Sequence, residues 1–348
     1  MDRRLYIRWI LLSLLLLFIW AAMLWVDIGE WYARSVYPLL SSCLSRLSSV
    51  FFFSVGDCFI IGSIIGLLAY LIYAIIKRRG FWKRLRCILE CLVWIYAWFY
   101  LAWGLNYFRH NFYTRAQIPP ARYEADHFHT FLTAYTDSLH ASWCVVEETD
   151  PSLVAVEING QYRKLPPHLG ILRPSNHLRA KPMLSSSFMS SVGVKGYMGP
   201  FFTEFNLNRQ LLPVEYAFTY AHELAHALSI SNEAEANLYA YQVCTASRIP
   251  EIRFSGYFGL FPYVLRNAQR LLPSDDYKAW LDSLHPDIKA LYNQRIEHWQ
   301  ALYNPTIGEM QDKVYNLFLK SNRISSGTAN YSEVIALLMA LDKNKKSN

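Results

Sequence analysis

Three long apolar segments in the first 105 residues constrain the fold of this 348-residue chain more than any other feature. They cover residues 7–26, 50–76 and 87–105, and each offers about 20 predominantly apolar residues in succession. At a rise of 1.5 Å per residue, such a stretch crosses the roughly 30 Å hydrocarbon core of a bilayer as a helix. The sequence therefore predicts a three-helix transmembrane bundle in residues 1–105, followed by one large domain in residues 106–348.

A cleaved signal peptide is the alternative interpretation of the first segment. Signal peptides carry a shorter apolar stretch of roughly 7–15 residues and a cleavage site of the A-x-A kind. Residues 7–26 exceed that length, no such site follows them, and two more apolar segments come after them. These observations favour a retained membrane anchor.

The distribution of basic residues predicts how the spans are oriented. The loop between the second and third segments contains six basic residues and no acidic one: Lys77, Arg78, Arg79, Lys83, Arg84 and Arg86. The amino terminus adds Arg3, Arg4 and Arg8, whereas residues 27–49 are balanced in charge. Because basic loops stay on the cytoplasmic side, we expect a cytoplasmic amino terminus and a domain outside the bacterial cytoplasmic membrane, in the periplasm.

The composition limits the remaining function classes. Charged residues make up only 18% of the chain, which excludes a disordered protein. Much of the net charge of +7 comes from the basic residues that indicate the membrane topology, so this charge does not indicate nucleic-acid binding. The acids Asp57 and Glu90 lie close to span ends, where an interfacial position or a polar contact within the bundle explains them. Three cysteines, Cys43, Cys144 and Cys244, lie outside the spans, and this odd number leaves their pairing open.

The second region has the pattern of a mainly α domain with a small sheet. A short strand or two is expected within residues 185–208, which are rich in Gly, Ser and aromatic residues. A hairpin turn is expected at Asn159-Gly160. From Pro213 onward the pattern is helical, with helices expected at 214–230, 232–246, 257–271, 275–283, 286–302, 308–320 and 330–342.

The segment that carries chemistry is the HExxH pattern His222-Glu223-Leu-Ala-His226. Residues four apart share one face of a helix, so both imidazoles can reach a single metal ion. A metal lowers the pKa of a water that it binds from 15.7 to roughly 7, and a neighbouring carboxylate, here Glu223, can then take the proton. Two histidines, a carboxylate and an open position describe a catalytic zinc site rather than a structural one. The alternative is two histidines on the polar face of an ordinary helix.

A third metal ligand is expected from the next helix, for which Asn232 is a good amino-terminal cap. Glu233 is our choice as ligand, with Asn237, four residues later on the same face, as a partner that orients a histidine. Glu235 is the rival, because it projects from a different face of the same helix. Either acid would also be favoured at a helix start by the helix dipole alone.

These motifs resemble those of known peptidases. His222 to His226, followed by Glu-Ala-Glu-Ala-Asn237, resembles the gluzincin-like zincin peptidases whose second helix carries an E-x-x-x-N or E-x-x-x-D motif. The whole chain resembles a bacterial membrane family of unknown function, with three amino-terminal spans and an HExxH domain. The segments that carry this second resemblance are Trp103–Tyr107, Gly196–Pro200, Phe202–Asn206 and Ser255–Tyr257. The resemblance implies a zincin-like domain and a metallopeptidase.

The sequence thus predicts a membrane-anchored zinc peptidase, one Zn²⁺ per chain, with peptide or protein substrates and no nucleic-acid partner. A non-peptidase zinc hydrolase of envelope material and a non-catalytic scaffold or receptor with a zinc site are the alternatives. Intramembrane proteolysis is disfavoured, because the motif lies more than a hundred residues after the last span. The Gly-rich stretch 192–208 is a candidate strand for binding peptides. Tyr197, Asn206 and Tyr257 are candidates for stabilising an oxyanion, and the sequence does not choose among them.

Overall fold

The computed structural model describes residues 3–120 and 123–347. It confirms three helices that are long and apolar enough to cross a membrane: Tyr6–Leu24 within helix α1 (Arg3–Leu24), α4 (Val55–Ile76) and α5 (Phe81–Ala102). The predicted spans are therefore right in number and nearly right in position. The second begins five residues later than expected, because Ser54 caps α4 by accepting a hydrogen bond from the Asp57 N–H (3.1 Å).

The three spans do not form an evenly packed bundle. Helices α1 and α5 pack together, and Arg8 of α1 forms an ion pair with Glu90 of α5. Helix α4 approaches α5 less closely, which leaves a groove of about 640 Å³ between them. Asp57 is held outside the bundle, where its carboxylate accepts a hydrogen bond from the Tyr197 hydroxyl.

The connection between the first two spans is helical and not the plain loop that we expected. It contains α2 (Val26–Trp31), a π-helical turn (Tyr32–Val36) and α3 (Tyr37–Ser48). Tyr37 is fully buried and its hydroxyl donates to the backbone carbonyl of Ala227 (2.9 Å), 190 residues later in the chain. The membrane-proximal residues thus pack directly against the second region.

The second region is mainly helical, as predicted. Its first helices in chain order are α6 (Phe112–Ala116), α7 (Ala125–Ala141), α8 (Pro151–Arg163) and α9 (Ser186–Ser191). The remaining helices are α10 (Pro213–Ala227), α11 (Glu233–Thr245), α12 (Pro250–Leu271), α13 (Ser274–Ser283), α14 (Pro286–Leu302), α15 (Pro305–Ser321) and α16 (Val334–Ser347). Short 3₁₀ turns lie at Gly104–Phe108, Pro167–Leu169 and Gly327–Glu333.

The expected hairpin at Asn159-Gly160 is wrong, because both residues lie inside α8. Asp150 starts that helix by accepting hydrogen bonds from the backbone N–H groups of Ser152 (2.8 Å) and Leu153 (3.4 Å). Pro151 occupies the first helical position, where its missing N–H costs nothing. These start signals outweigh the turn preference of the Asn-Gly pair.

A small sheet of three strands lies beside the helices. Its strands are β1 (Ala180–Pro182), β2 (Gly196–Gly199) and β3 (Glu204–Leu207), in the order β1-β3-β2. β3 pairs in parallel with β1 and antiparallel with β2, which leaves one edge of β2 outside the ladder. The sequence predicted β2 and β3 but not β1.

The core of the second region is built around α10, α11 and α12, which pack closely on one another. All but two residues of α10 are buried, and aromatic side chains from distant parts of the chain donate hydrogen bonds to its carbonyl groups. Tyr162 donates to the Ala221 carbonyl (2.7 Å), Trp103 to the His226 carbonyl (2.9 Å) and Tyr37 to the Ala227 carbonyl. Two of these donors lie next to the spans, so the position of α10 is set from the membrane side.

A buried ion pair holds the turn after α10. Arg109 binds both carboxylate oxygens of Glu30 (3.0 and 3.1 Å) and also donates to the carbonyl (3.2 Å) and hydroxyl (2.8 Å) of Ser229. Burial alone would raise the pKa of Glu30, but the hydrogen bonds and charge of Arg109 lower it to about 2. Ser229 has a φ of 80°, a conformation that costs a residue other than glycine about 1–3 kcal/mol. The Arg109 contacts offset that cost.

We expect Arg109→Ala to lower the free energy of unfolding by about 1–3 kcal/mol, because it leaves the buried Glu30 carboxylate with the partly exposed Arg34 as its remaining ion-pair partner among the described residues. Thermal unfolding of the detergent-purified protein measures the effect. Arg46→Ala, at an exposed position of α3, is the control and should change stability by less than about 0.5 kcal/mol. Equal stability of the two variants would contradict the role given to Arg109.

Candidate metal centre

The HExxH segment forms the second half of α10. Pro213 occupies the first helical position, and the Glu215 carboxylate accepts a hydrogen bond from the Leu212 N–H (3.4 Å). Helical spacing then places His222 and His226 on one face, with their ring centroids 4.7 Å apart. Local sequence alone is enough to bring the two imidazoles together.

Two asparagines position the start of α11, which follows the turn. Asn232 accepts a hydrogen bond from the Glu235 N–H (3.0 Å), as the sequence predicts. Asn330, in the 3₁₀ turn near the carboxyl terminus, accepts from the N–H groups of Glu233 (2.9 Å) and Ala234 (3.2 Å). The first residue of α11 is thereby fixed from both sides.

Three side-chain atoms from these helices converge on one point. The Nε2 atoms of His222 and His226 are 3.1 Å apart, and the Glu233 Oε2 atom lies 3.2 and 3.3 Å from them. All three side chains are buried, the two histidines with 7% and Glu233 with 2% of their surface exposed. The group His222, His226 and Glu233 is thus one that could hold a metal ion.

Hydrogen bonds to the other ring nitrogen orient each histidine. His226 Nδ1 lies 2.6 Å from the Ile230 carbonyl, and His222 Nδ1 lies 2.9 Å from the Asn237 side-chain oxygen. Asn237 is itself oriented, because its amide nitrogen donates to the Tyr331 carbonyl (3.2 Å). Since both acceptors are oxygens that carry no proton, each Nδ1 must donate. In the neutral rings the Nε2 lone pairs therefore point toward one another and toward Glu233.

Two lone pairs and a carboxylate aimed at one point repel each other unless a positive charge lies between them. Ligand distances of 2.0–2.2 Å in a tetrahedral site place neighbouring ligand atoms about 3.3–3.5 Å apart. The three separations of 3.1 to 3.3 Å are close to that geometry. The donor set of two imidazoles and a carboxylate also fits a divalent metal such as zinc.

In the metal-free group a proton supplies part of this positive charge. Burial by itself lowers the pKa of His226, but the Glu233 carboxylate outweighs that effect and raises it to about 9. The pKa of Glu233 is lowered correspondingly, since the charge of His226 outweighs the effect of its burial. A metal that enters this site at neutral pH must therefore displace a proton.

Glu223 lies beside the metal group, against strand β2. A Cβ atom built on Gly196 would come within 2.5 Å of Glu223 Oε1 and 2.6 Å of its Cγ, so only glycine fits there without displacing the side chain. Burial raises the pKa of Glu223 above that of an ordinary carboxyl group, although the two histidines oppose the shift. A buried carboxylate of raised pKa next to a metal group is suited to accept protons near neutral pH.

The structure brings Glu233, and not Glu235, to the two histidines. Glu235 projects from another face of α11 and forms a buried ion pair with Arg115. Glu233 uses its second oxygen, Oε1, to accept a hydrogen bond from the Tyr315 hydroxyl (2.6 Å). The two acids differ because their partners, Arg115 and Tyr315, come from distant parts of the chain.

The three residues that were candidates for stabilising an oxyanion make other contacts. Tyr197 donates to Asp57, and Asn206 is its cross-strand neighbour on β3. Their side chains alternate with Phe205, whose ring packs on Tyr220 of α10, so they occupy the sheet face away from that helix. The ring of Tyr257 packs against Tyr135 and Tyr241.

Several residues around the metal group were not predicted. Besides the Tyr315 and Asn330 contacts, the Tyr331 ring stacks on His222, with 6.1 Å between centroids and 11° between planes. Trp103 packs edge-on against His226, with 6.3 Å between centroids. Trp103 and Gly196 lie in segments that carried the family resemblance, whereas nothing in the sequence singled out the tyrosines.

Comparison with known families gives one result. The chain belongs to the family described as "Protein of unknown function (DUF3810)", which matches residues 32–339 and so includes both the metal group and the last two spans. Comparison with curated proteins and with solved structures finds no match.

We expect the detergent-purified protein to bind about one divalent metal per chain, and His226→Ala and Glu233→Ala to lose it. Each substitution removes one of three ligands, and fewer ligands bind a metal far more weakly. Elemental analysis after dialysis measures the content. Glu235→Ala is the control, since its carboxylate faces Arg115. Loss of metal in Glu235→Ala alone would assign the third ligand to the rival.

Metal affinity should depend on pH because His226 must lose its proton. Below the His226 pKa of about 9, we expect the association constant for Zn²⁺ to rise about tenfold per pH unit. Calorimetric titration at pH 6, 7 and 8 measures this slope, and the heats in buffers of different ionisation enthalpy count the protons released. An affinity independent of pH over this range would show that the metal does not compete with that proton.

Proposed function

We propose that this protein is a membrane-anchored, zinc-dependent peptidase of the HExxH type. The observation that carries the proposal is the convergence of His222, His226 and Glu233 on one point with Glu223 beside them. A structural metal site needs ligands alone, whereas a carboxylate next to the ligands supplies the proton acceptor that hydrolysis needs. Among residues 3–120 and 123–347, no fourth His, Cys, Asp or Glu joins the group, which leaves a position open, as catalytic zinc sites do.

The residues have distinct roles in the proposed reaction. When bound, the metal would supply Lewis acidity toward a water and toward the substrate carbonyl. Glu223 accepts a proton as the water oxygen forms its bond to the carbonyl carbon. As the carbon–nitrogen bond breaks, Glu223 passes that proton to the leaving amine, so that one water is consumed and no other reactant is needed. Asn237 and the Ile230 carbonyl keep the two imidazoles turned toward the metal.

Strand β2 supports a peptide substrate over other envelope material. It forms the edge of the sheet, and its Gly196 lies against Glu223. An extended peptide that adds to this edge would lay its backbone across the front of the site, held by main-chain hydrogen bonds. Such binding recognises the peptide backbone and does not require a particular side chain in the substrate.

The location follows from the charges around the spans. The basic loop of residues 77–86 lies at the end of α4 and α5 that is far from the metal group, whereas Trp103 and Asp57 lie at the near end. By the positive-inside rule, the metal centre lies outside the cytoplasm, in the bacterial periplasm. Fusions of a periplasm-active reporter after residue 80 and after residue 348 test this orientation.

We expect Glu223→Gln to reduce peptide hydrolysis by about 10²- to 10⁴-fold while leaving the metal content unchanged, because it removes the proton acceptor and keeps the ligands. A quenched-fluorescence peptide library measures the rate. Glu297→Gln, at an exposed position of α14, is the matched control. Full activity of Glu223→Gln would overturn the mechanism. Hydrolysis of peptidoglycan fragments but not of peptides would favour the non-peptidase hydrolase, and a metal without any reaction would favour a scaffold.

A further inference from the structure

The metal group lies directly on the ends of the membrane spans, although more than a hundred residues separate it from them in the sequence. Trp103, which follows the last residue of α5, donates its hydrogen bond to the His226 carbonyl (2.9 Å). On the other side, Asp57 in the first turn of α4 binds Tyr197, the neighbour of the Gly196 that touches Glu223. Two spans thus end within one or two residue contacts of the site.

Helix α15 adds a further contact between the site and the spans. Near its carboxyl end Phe318 packs on Phe99 of α5 (5.9 Å between centroids). Arg323, just after the helix, donates to the carbonyls of the last α1 residues, Met23 and Leu24. The carboxyl end of α15 therefore lies against the ends of two spans.

Tyr315, in the middle part of this helix, hydrogen-bonds the Glu233 carboxylate. The segment that contacts Glu233 therefore also contacts the ends of α1 and α5, three to eight residues later. Peptide bonds that reach the site lie within a few residues of the ends of the spans.

The groove between α4 and α5 begins at the end of these two spans that lies close to the metal group. Phe59, at its upper end, packs against Phe201 in the turn between β2 and β3 (4.9 Å between centroids), and Trp98 donates to the Phe201 carbonyl (3.2 Å). From Phe59 down to Tyr70 the groove follows α4 for about 17 Å, close to the roughly 15 Å depth of one leaflet. The turn that closes the groove is the continuation of the edge strand.

The length of the groove favours an acyl chain as its occupant. An acyl chain ends near the middle of the bilayer, as the groove does, whereas a transmembrane helix crosses both leaflets and would extend along all 22 residues of α4, about 33 Å. The lining is almost wholly apolar or aromatic, and its largest side chains are Phe59, Leu67, Tyr70, Trp94, Ile95 and Trp98.

We propose that the site cleaves lipid-anchored polypeptides close to the membrane surface, with an acyl chain of the anchor seated in the groove between α4 and α5. The polypeptide then passes over the turn at Phe201 and along the edge of β2 to Glu223. At about 3.3–3.6 Å per extended residue, the scissile bond lies within roughly five residues of the anchor. This inference rests on the proposed peptidase function.

The experiment uses the full protein in liposomes and a peptide library with an N-terminal palmitoyl chain. In one substrate the random segment follows the lipid directly, and in another it follows a spacer of about 12 prolines, which holds it roughly 37 Å away. We expect the first to be cut about 10²-fold faster than the second and than the same peptide without lipid. Mass spectrometry should place the cuts within about five residues of the anchor.

Two positions of α4 provide variants for the groove. Gly66 lines the groove and has open space around the position of a Cβ atom, whereas the exposed Ile61 lies on the opposite face of the helix. We expect Gly66→Phe to slow cleavage of the lipid-anchored peptide at least about tenfold through weaker binding of the anchor, a loss of about 1.4 kcal/mol. Ile61→Phe should have no effect, and both variants should cut the peptide without lipid at the wild-type rate.

The outcomes separate the two proposals. Equal cutting of peptides with and without the lipid, or cuts far from the anchor, would overturn the inference and leave the peptidase function standing. Equal rates for Gly66→Phe and Ile61→Phe would overturn the assignment of the acyl chain to this groove. Preference for a peptide anchored by a transmembrane helix over the palmitoyl peptide would assign the site to that other class of substrate. No cutting of any peptide by the metal-loaded wild type would overturn the function and the inference together.

Discussion

The convergence of two imidazole lone pairs and a carboxylate on one point is the constraint on which the rest of the structure depends. Without a cation these groups repel, so the fold has to hold them together against that repulsion. It does so with four contacts: the Ile230 carbonyl and Asn237 fix the rings, and Asn330 and Tyr315 fix Glu233. The contacts come from the turn after α10, from α11 itself and from the last 40 residues. A metal or proton is thus built into the energetics of the folded state.

The sequence predicted those parts of the site that depend on local geometry. The spacing of His222 and His226 and the cap at Asn232 follow from helix geometry within fifteen residues, and all were predicted correctly. The choice between Glu233 and Glu235 is different, because both acids lie in the first turn of α11. Arg115, more than a hundred residues earlier in the chain, forms an ion pair with Glu235, so this carboxylate does not join the metal group. A single sequence does not reveal that contact.

The same distinction between local geometry and long-range contacts explains which parts of the fold were predicted. Apolar length is a local property, and it placed the three spans to within a few residues. The helical connection of residues 26–48 and the strand β1 have no such local signal, because they are stabilised by contacts such as Tyr37 with Ala227 and the pairing of β1 with β3. The Asn159-Gly160 pair shows the reverse error, in which a strong local turn signal lies within a helix that starts at Asp150.

Distance along the chain does not measure how close the candidate site lies to the membrane spans. More than a hundred residues separate the last span from the motif, yet Trp103 binds the backbone of His226. The reason is that the intervening helices α7 and α8 pack on α10, α11 and α12, and the end of α10 is bound by Trp103, the residue directly after α5. A peptidase whose substrates are free in solution would gain nothing from binding the helix that carries its metal ligands to membrane spans, since such substrates would arrive from any direction. A peptidase whose substrates are held in the same bilayer gains a fixed height for the scissile bond, and that fixed height would itself select which bonds are cut.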